Sequence, residues 1–454
     1  MSRPLWDRGE PFDRIALRFT TGRDPELDLR LVRHDAVASA AHARMLCEIG
    51  VLEPRELAGL LVELRGIAED GLEISVEEED GHTAIENRLT ARLGAAGRRI
   101  HTGRSRNDQV IAALRLFGRE AVLTLAQRLV ELALQLVELA GEHGDTSLPG
   151  YTHTRQAMPS TLGLLLGAHA EALLDALPWL RVAFEHLNRS PLGSASGFGV
   201  ALPLDRQRVA DLLAFDRVQQ NAIAVQNDRG KTEMLVLGAV LGPVQDLARL
   251  AADLIWYSSD ELGFVRLGTE VTTGSSIMPN KRNPDALELV RAGAARIKGW
   301  HAAVAAVTCG LSSGYHRDLQ LTKEPLLEGL QSTLDMLAVM SRVLGSLEVD
   351  VTRCRAAVQP GAAATDVLYG RVAEGEAFRD AYRAVAGDPA AAVEAAGVEA
   401  AETWRLRTHA GAPGALEGSL AQCREAAASG RRWLEAQQAR IAAAAAAVLD
   451  PDRS

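Results

Sequence analysis

From about residue 106 to residue 346, apolar residues dominate at helical spacing, and this pattern commits the chain to a core of long helices. In 121–140 the polar residues Gln127, Arg128, Glu131, Gln135 and Glu138 recur at three- and four-residue steps. Leu and Val fill nearly everything between them. Such a stretch is a helix with a narrow wet face, buried on most sides. Similar stretches run at about 158–188, 231–259, 285–308 and 324–346, which predicts five long helices. Helices with so little polar surface pack in a bundle, and their surplus apolar surface predicts burial against further subunits. Ala and Leu dominate, aromatic residues are only 4%, and no strand-like alternation is sustained. All of this favours an all-α fold.

At 454 residues the chain is too long for one ordinary core. The expected division is 1–105 (an N-terminal helical domain), 106–350 (the central bundle) and 351–454 (a small C-terminal helical domain). In the last, Pro360-Gly361 and Gly411-Ala412-Pro413-Gly414 break short helices, and the Ala run Ile441–Leu449 reads as a surface helix. A formal net charge of -10 argues against nucleic acid as a partner and suits a basic pocket for a small anionic substrate. The longest apolar stretches carry charges at helical spacing, so none reads as a membrane span. No apolar run follows Met1–Arg8, so no signal peptide is expected and the chain reads as cytoplasmic. Cys47, Cys309, Cys354 and Cys423 show no paired spacing and read as reduced thiols. No metal-ligand spacing, phosphate loop or dinucleotide fingerprint is present, so the expectation is no metal and no cofactor.

Four segments interrupt the helices with polar or glycine-rich sequence, and function concentrates on such loops and helix ends. His101–Gln109 gathers two Arg, a Ser, an Asn and a Thr ahead of a helix; helix N-terminal amides and Arg forks favour carboxylates. The alternative is a plain capped, solvated helix start. Leu148–His153 reads as a tight turn ahead of a long helix, its His either an acid–base group or structural. Gly274–Pro284 holds paired serines, Lys281 and Asn283; Pro284 starts a helix that Asn283 is placed to cap, with Glu288 on its second turn. Tyr315–Gln320, ending in Lys323, again collects donors suited to a carboxylate. The acidic run Glu77–Asp80 reads as a solvated turn. No G-x-S-x-G elbow supports a serine hydrolase.

Gly274-Ser275-Ser276-Ile277-Met278-Pro279-x-Lys281-x-Asn283-Pro284 closely resembles the signature loop of the fumarase/aspartase superfamily. His101–Gln109 resembles the HTGRSRNDQ segment of the argininosuccinate lyase family, and Pro149–His153 its PGYTH turn. Leu262–Val265, Arg317–Gln320, Lys323–Leu326 and Ala364–Asp366 also match family stretches, so the resemblance spans nearly the whole chain. It implies a three-domain, all-α fold in which five central helices from each of four chains form a twenty-helix core. It also implies active sites at the meeting of three subunits of a homotetramer.

The implied reaction is reversible anti β-elimination of argininosuccinate to arginine and fumarate, the last step of arginine biosynthesis. By resemblance Ser275 is the base, its anionic form stabilised by loop amides and cations, with Ser276 beside it at the substrate. Lys281 and Asn283 bind the carboxylate being activated, Thr152 and His153 contact the same end, and Glu288 holds His153. Arg106 and Asn107 hold fumarate-side carboxylates. Ser39, Tyr315, Gln320 and Lys323 match positions on the arginine side. Departures from the commonest family form include Ala84, Arg155, Asn227–Lys231 and Leu321-Thr322, most of them near the amine-side pocket. They leave open a sister lyase acting on another N-substituted aspartate such as adenylosuccinate. A crystallin-like structural protein without activity is a further alternative, opposed by the presence of Ser275, His153 and Lys281.

Overall fold

A computed structural model describes residues 13–453; the N-terminal segment read above for a leader lies outside them. The longest helix, Arg106–Glu142, has 37 residues, which at 1.5 Å per residue is about 55 Å. It starts where the sequence supplies a cap: the Ser105 oxygen accepts from Asn107 N at 3.3 Å, and Asp108 Oδ1 accepts from Ser105 N at 3.0 Å. This reciprocal pair satisfies amides that a helix start leaves orphaned. Leu125, Ala126, Leu129, Leu136 and Ala140 are fully buried along it.

Three further long helices of the central region are Lys231–Tyr257, Asp285–Thr308 and Lys323–Gly345, close to the expected spans. Lys231–Tyr257 packs on both of the others, and Lys323–Gly345 also packs on Arg106–Glu142. By length and composition Lys231–Tyr257 would suffice to cross a membrane, but half of its apolar stretch is buried inside the bundle. Asp285–Thr308 keeps an uncovered face, with Leu289 71% exposed.

The stretch expected as one helix over 158–188 is three elements. Arg155–Thr161 is a strand, antiparallel to Ser147–Thr152; Leu162–Leu174 and Leu177–Leu187 are separate helices. Pro178 explains the second break, because it cannot donate to the preceding turn and disfavours helix at the residue before it. Thr161 caps the first helix, its Oγ1 accepting from Leu164 N at 3.1 Å.

The C-terminal Ala run is a surface helix with one buried edge, Ala442, Ala443 and Ala446 being exposed. It ends a 34-residue helix, Leu416–Leu449, that lies along Arg106–Glu142 and buries Ile441 and Val448. Val448 joins the N-terminal core built by Val32–Glu48 and Pro54–Asp70. Arg44 fastens this end: its Nε donates to Val448 O at 2.9 Å and its Nη1 to Arg453 O at 2.6 Å. The last carbonyls of a helix lack internal partners, and a buried guanidinium answers that need.

Candidate active site

A small solvent-open cleft of about 80 Å³ lies where the helices Asp24–Asp28, Gly81–Leu93, Arg106–Glu142 and Lys323–Gly345 begin. Helix N-termini carry partial positive charge, so their meeting favours an anion. Of the expected site residues, Arg106, Asn107, Tyr315, Gln320 and Lys323 all line this cavity. Two of the polar segments, far apart in sequence, therefore meet in one chain.

The cavity wall is built of ion pairs. Arg106 Nη1 lies 3.1 Å from Glu79 Oε2 and 3.0 Å from Asp80 Oδ2. The acidic run is thus not a solvated turn: Glu79 is 3% exposed, and Asp80 also caps the helix Gly81–Leu93 through Thr83 N. Lys323, equally buried, lies 2.6 Å from Asp28 Oδ1 and 3.1 Å from Asp24 Oδ1. Burial opposes the Lys323 charge, but Asp28 and Asp24 together hold its ammonium above the ordinary lysine value. Burial pushes the Asp24 carboxyl up, against the pull of Lys323. Gln320 Nε2 donates to Thr20 O and Thr21 O at 2.9 and 3.1 Å, tying the N-terminal helix Arg14–Thr21 to the rim.

Ser39 lies behind this wall. It is fully buried, and its Oγ accepts from Arg104 Nη1 at 2.8 Å. One turn earlier, Asp35 Oδ2 pairs with His82 Nδ1 at 2.6 Å while Asp35 Oδ1 accepts from Gln109 Nε2 at 3.2 Å. Ser39 thus supports Arg104, and His82 presents its ring to the cavity. Sequence reasoning missed Asp24, Asp28, His82 and Arg229. The i,i+4 carboxylates of Asp24-Pro25-Glu26-Leu27-Asp28 were the available signal, since that spacing puts both on one helix face.

The residues expected to carry the elimination occupy two exposed projections. Thr152 ends a strand at the hairpin tip, with Thr152 opposite Arg155 and the turn made by His153 (φ 52°) and Thr154 (φ 57°). Two successive positive φ values define the tight hairpin loop whose twist matches its strands. A β-branched Thr is strained there, and such strain gathers at functional sites. The segment Leu148–His153, expected as a turn, is mostly strand, with the turn itself at His153-Thr154, and a bulge between Gly150 and Tyr151 re-aims the tip.

The serine loop is held at its base by two short paired segments, Thr273 opposite Asn283 and Gly274 opposite Arg282. Asn283 therefore belongs to a ladder and does not cap the helix; Pro284 takes that place, and Glu288 falls in the first turn instead of the second. Ser275 Oγ accepts from Ile277 N at 3.3 Å and Met278 N at 3.1 Å. Amides aimed at a hydroxyl oxygen favour its anion. Ser276 and Lys281 on this loop are exposed, as is Glu288. Among the described residues no hydrogen bond joins His153 to Glu288 within one chain.

The comparisons with known proteins agree with these features. A family model described as lyase matches residues 13–299. An argininosuccinate lyase of Sorangium cellulosum (strain So ce56) is 44% identical over 420 residues, covering 92% of this chain and 97% of that protein. The chain belongs to the argininosuccinate lyase family. A family relative from Thermotoga neapolitana is 40% identical, covering 85% of this chain and 98% of its own length. Among solved structures, EDDS lyase in complex with formate superposes with a TM-score of 0.80 at 23% identity, covering 97% of this chain and 96% of that one. Class II fumarase from Schistosoma mansoni gives 0.71 at 15% identity, covering 88% and 97%. These likenesses show that the family's all-α fumarase/aspartase architecture is present here.

Proposed function

We propose that this carbon–nitrogen lyase cleaves argininosuccinate reversibly to arginine and fumarate by anti β-elimination, with Ser275 as the base. The observation that carries the substrate is the 44% identity to a protein named argininosuccinate lyase over 92% of the chain. The cavity chemistry supports it: cationic and amide donors stand at helix N-termini, as a substrate with several carboxylates requires.

The proton to be removed lies next to a carboxylate and is very weakly acidic, so the transient dianion needs preorganised donors. A serine hydroxyl is an effective base only when its anion is stabilised, and the two loop amides on Ser275 Oγ supply part of that stabilisation. Lys281 and Asn283 bind the carboxylate being activated. Ser276, Thr152 and His153 contact the same end of the substrate. Arg106 and Asn107 take the other fumarate-side carboxylate. Ser39 acts through Arg104, while Tyr315, Gln320 and Lys323 face the amine. Glu288 holds the tautomer of His153, and that pairing forms between subunits of a homotetramer. Exposure supports such an assembly, since Ile277 on the serine loop is 83% exposed and Leu289 on the adjoining helix 71%.

The test is release of fumarate, followed by its absorbance, from argininosuccinate and separately from adenylosuccinate. Fumarate from the first substrate alone is expected. Release only from the second would overturn the assignment.

A further inference from the structure

The hairpin of Ser147–Thr152 and Arg155–Thr161 carries Thr152 and His153 at its tip, and its hold on the rest of the chain changes along its length. Its base is locked to residues beyond 350. Ser147 Oγ donates to Ala401 O at 2.6 Å and accepts from Trp404 Nε1 at 2.8 Å, and Arg407 Nη2 donates to Pro159 O. Further out the ladder slips. Gly150 stands opposite Met158, but Tyr151 stands opposite Gln156, so Ala157 is left without a pair. Such a bulge bends its strand and weakens the ladder there. Beyond it come only two residue pairs and the strained turn His153-Thr154, and Thr152, His153, Thr154 and Arg155 are all exposed. A two-stranded ribbon holds itself poorly in water, and a strained turn persists only where its surroundings fix it.

Gln156 supplies the outer hold. It is the first residue after the tip to be half-buried, and its amide is engaged at both ends. Nε2 donates to Ala357 O at 2.8 Å, and Oε1 accepts from Gln359 N at 3.0 Å. Ala357 ends the helix Val351–Ala356, whose last carbonyls lack internal partners. A neutral amide answers one donor and one acceptor as a peptide group would, without the desolvation cost of a charge. Across the hairpin, Tyr151 packs edge-on against Trp256 of the helix Lys231–Tyr257, with ring centres 4.6 Å apart. The pair next to the tip is therefore anchored on both strands, Tyr151 to the central helices and Gln156 to Ala357 and Gln359. Among the described residues, no hydrogen bond from the hairpin to the chain outside it lies nearer the tip.

We propose that Gln156 is a positioning residue for the elimination, its amide setting where Thr152 and His153 stand against the substrate. This rests on the reading that those two residues contact the substrate. The expected site residues end at Lys323, so this clamp is how the C-terminal part of the chain enters the reaction. Both of its bonds lie close to solvent, and water replaces them when the amide is removed, so the fold survives the loss.

The experiment measures kcat and KM for fumarate release from argininosuccinate by the intact enzyme, with the urea midpoint of each variant at one protein concentration. Gln156→Ala should lower kcat roughly ten- to a hundred-fold, the cost of misplacing a reacting group by about an ångström. KM should change less than about three-fold, because the wall still holds the substrate's fixed charges. Gln359→Pro deletes only the N–H that Gln156 Oε1 uses, since Gln359 already has φ -73°, which proline adopts. It should lower kcat in the same way but by less. His153→Asn combined with Gln156→Ala should cost little more than His153→Asn alone, because the two act as one unit. An undiminished kcat in Gln156→Ala would overturn the proposal, as would losses that multiply in full with His153→Asn. A lowered urea midpoint with kcat unchanged, the mark of a merely structural contact, would overturn it too. If Gln156→Ala does not fold, Gln359→Pro decides, and wild-type kcat there rejects the clamp. Absence of fumarate from the unaltered enzyme would instead overturn the substrate reading, and wild-type turnover of His153→Asn the role of the tip; either takes this assignment with it.

Discussion

The clearest stability prediction concerns Asp228, whose Oδ2 gathers four groups. Arg115 Nη2 lies at 2.9 Å, Arg189 Nη2 at 2.8 Å, Thr232 Oγ1 at 2.9 Å and His186 Nε2 at 3.3 Å. Asp228 is 5% exposed and Arg115 1%. Asp228→Asn preserves shape and one acceptor oxygen but removes the charge. The two guanidinium–carboxylate pairs lose their anionic partner and become weaker bonds to a neutral amide oxygen, and Arg115 otherwise has only Arg189 O and Gln219 Oε1 at 2.6 Å each. Stranding a buried cation in this way costs about 3–5 kcal/mol. The sign of the pH dependence follows from the same contacts. Burial works against the Asp228 carboxylate, but His186, Arg115 and Arg189 hold it well below the usual carboxylate range. Because the folded pKa is depressed, the stabilisation is fully present above the unfolded value near 3.9. It is lost as pH falls below that value toward the folded pKa. Urea midpoints at one fixed protein concentration should therefore separate wild type from Asp228→Asn by a constant amount between pH 8 and pH 5. The gap should narrow only below about pH 4. A loss under 1 kcal/mol at pH 7.5, or a gap that already shrinks between pH 8 and 6, would refute the reasoning.

Three other predictions are independent of Asp228. Ser275→Ala should keep the fold and inhibition by fumarate while losing nearly all turnover; near-normal fumarate release would remove Ser275 as the base. Gly163→Ala places a Cβ 2.5 Å from Ala140 O and 2.7 Å from Leu416 Cδ2, so it should destabilise by roughly 1–3 kcal/mol by overpacking; an unchanged urea midpoint would contradict that contact. Burial, with Arg104 and His82 nearby, pushes His101 down to about 4. Its depressed folded value makes His101 contribute stability above about pH 6.5 that is lost as pH falls toward 4, so its ring resonances should not titrate between pH 7.5 and 5, and a midpoint near 6.5 would count against the burial.

The long helices were legible because burial writes a three- and four-residue rhythm into one stretch of chain. A capped helix start in His101–Gln109 was legible for a similar reason, because capping is local, and the structure supplies it through Ser105 and Asp108. What escaped depends on contacts that no local pattern encodes. Lys323 meets Asp28 across 295 positions, and nothing near either residue marks the partner. Glu79 looked like part of a solvated charge run because its neighbours are charged, whereas the left-handed turn at Glu79 (φ 66°) carries it inward to Arg106. Ser39 matched, by resemblance, a position on the arginine side; its place one turn after Asp35 puts it behind the wall instead. The strand Ser147–Thr152 was read as part of the turn because tight hairpin turns usually announce themselves with Asn-Gly or Asp-Gly, and the tip His153-Thr154 uses residues that strain to fit.

The division of the site into a walled cavity and two exposed projections has a physical rationale in the proposed reaction. Groups that recognise fixed charges gain from rigidity, and here they sit at helix starts, locked by Asp24, Asp28, Asp35 and Asp80. The proposed base has a different requirement. Its oxygen must be accessible to a proton and shielded from water only after substrate is bound, which a loop closing from outside the cavity provides. Ser275 meets the first requirement through loop geometry alone, because its amide donors, Ile277 N and Met278 N, travel with it. Such a loop holds its own anion-stabilising amides and would depend on the wall only for the substrate's position. Substitutions in the wall should therefore fall mainly on KM and on the choice of amine, and substitutions in the loop mainly on kcat.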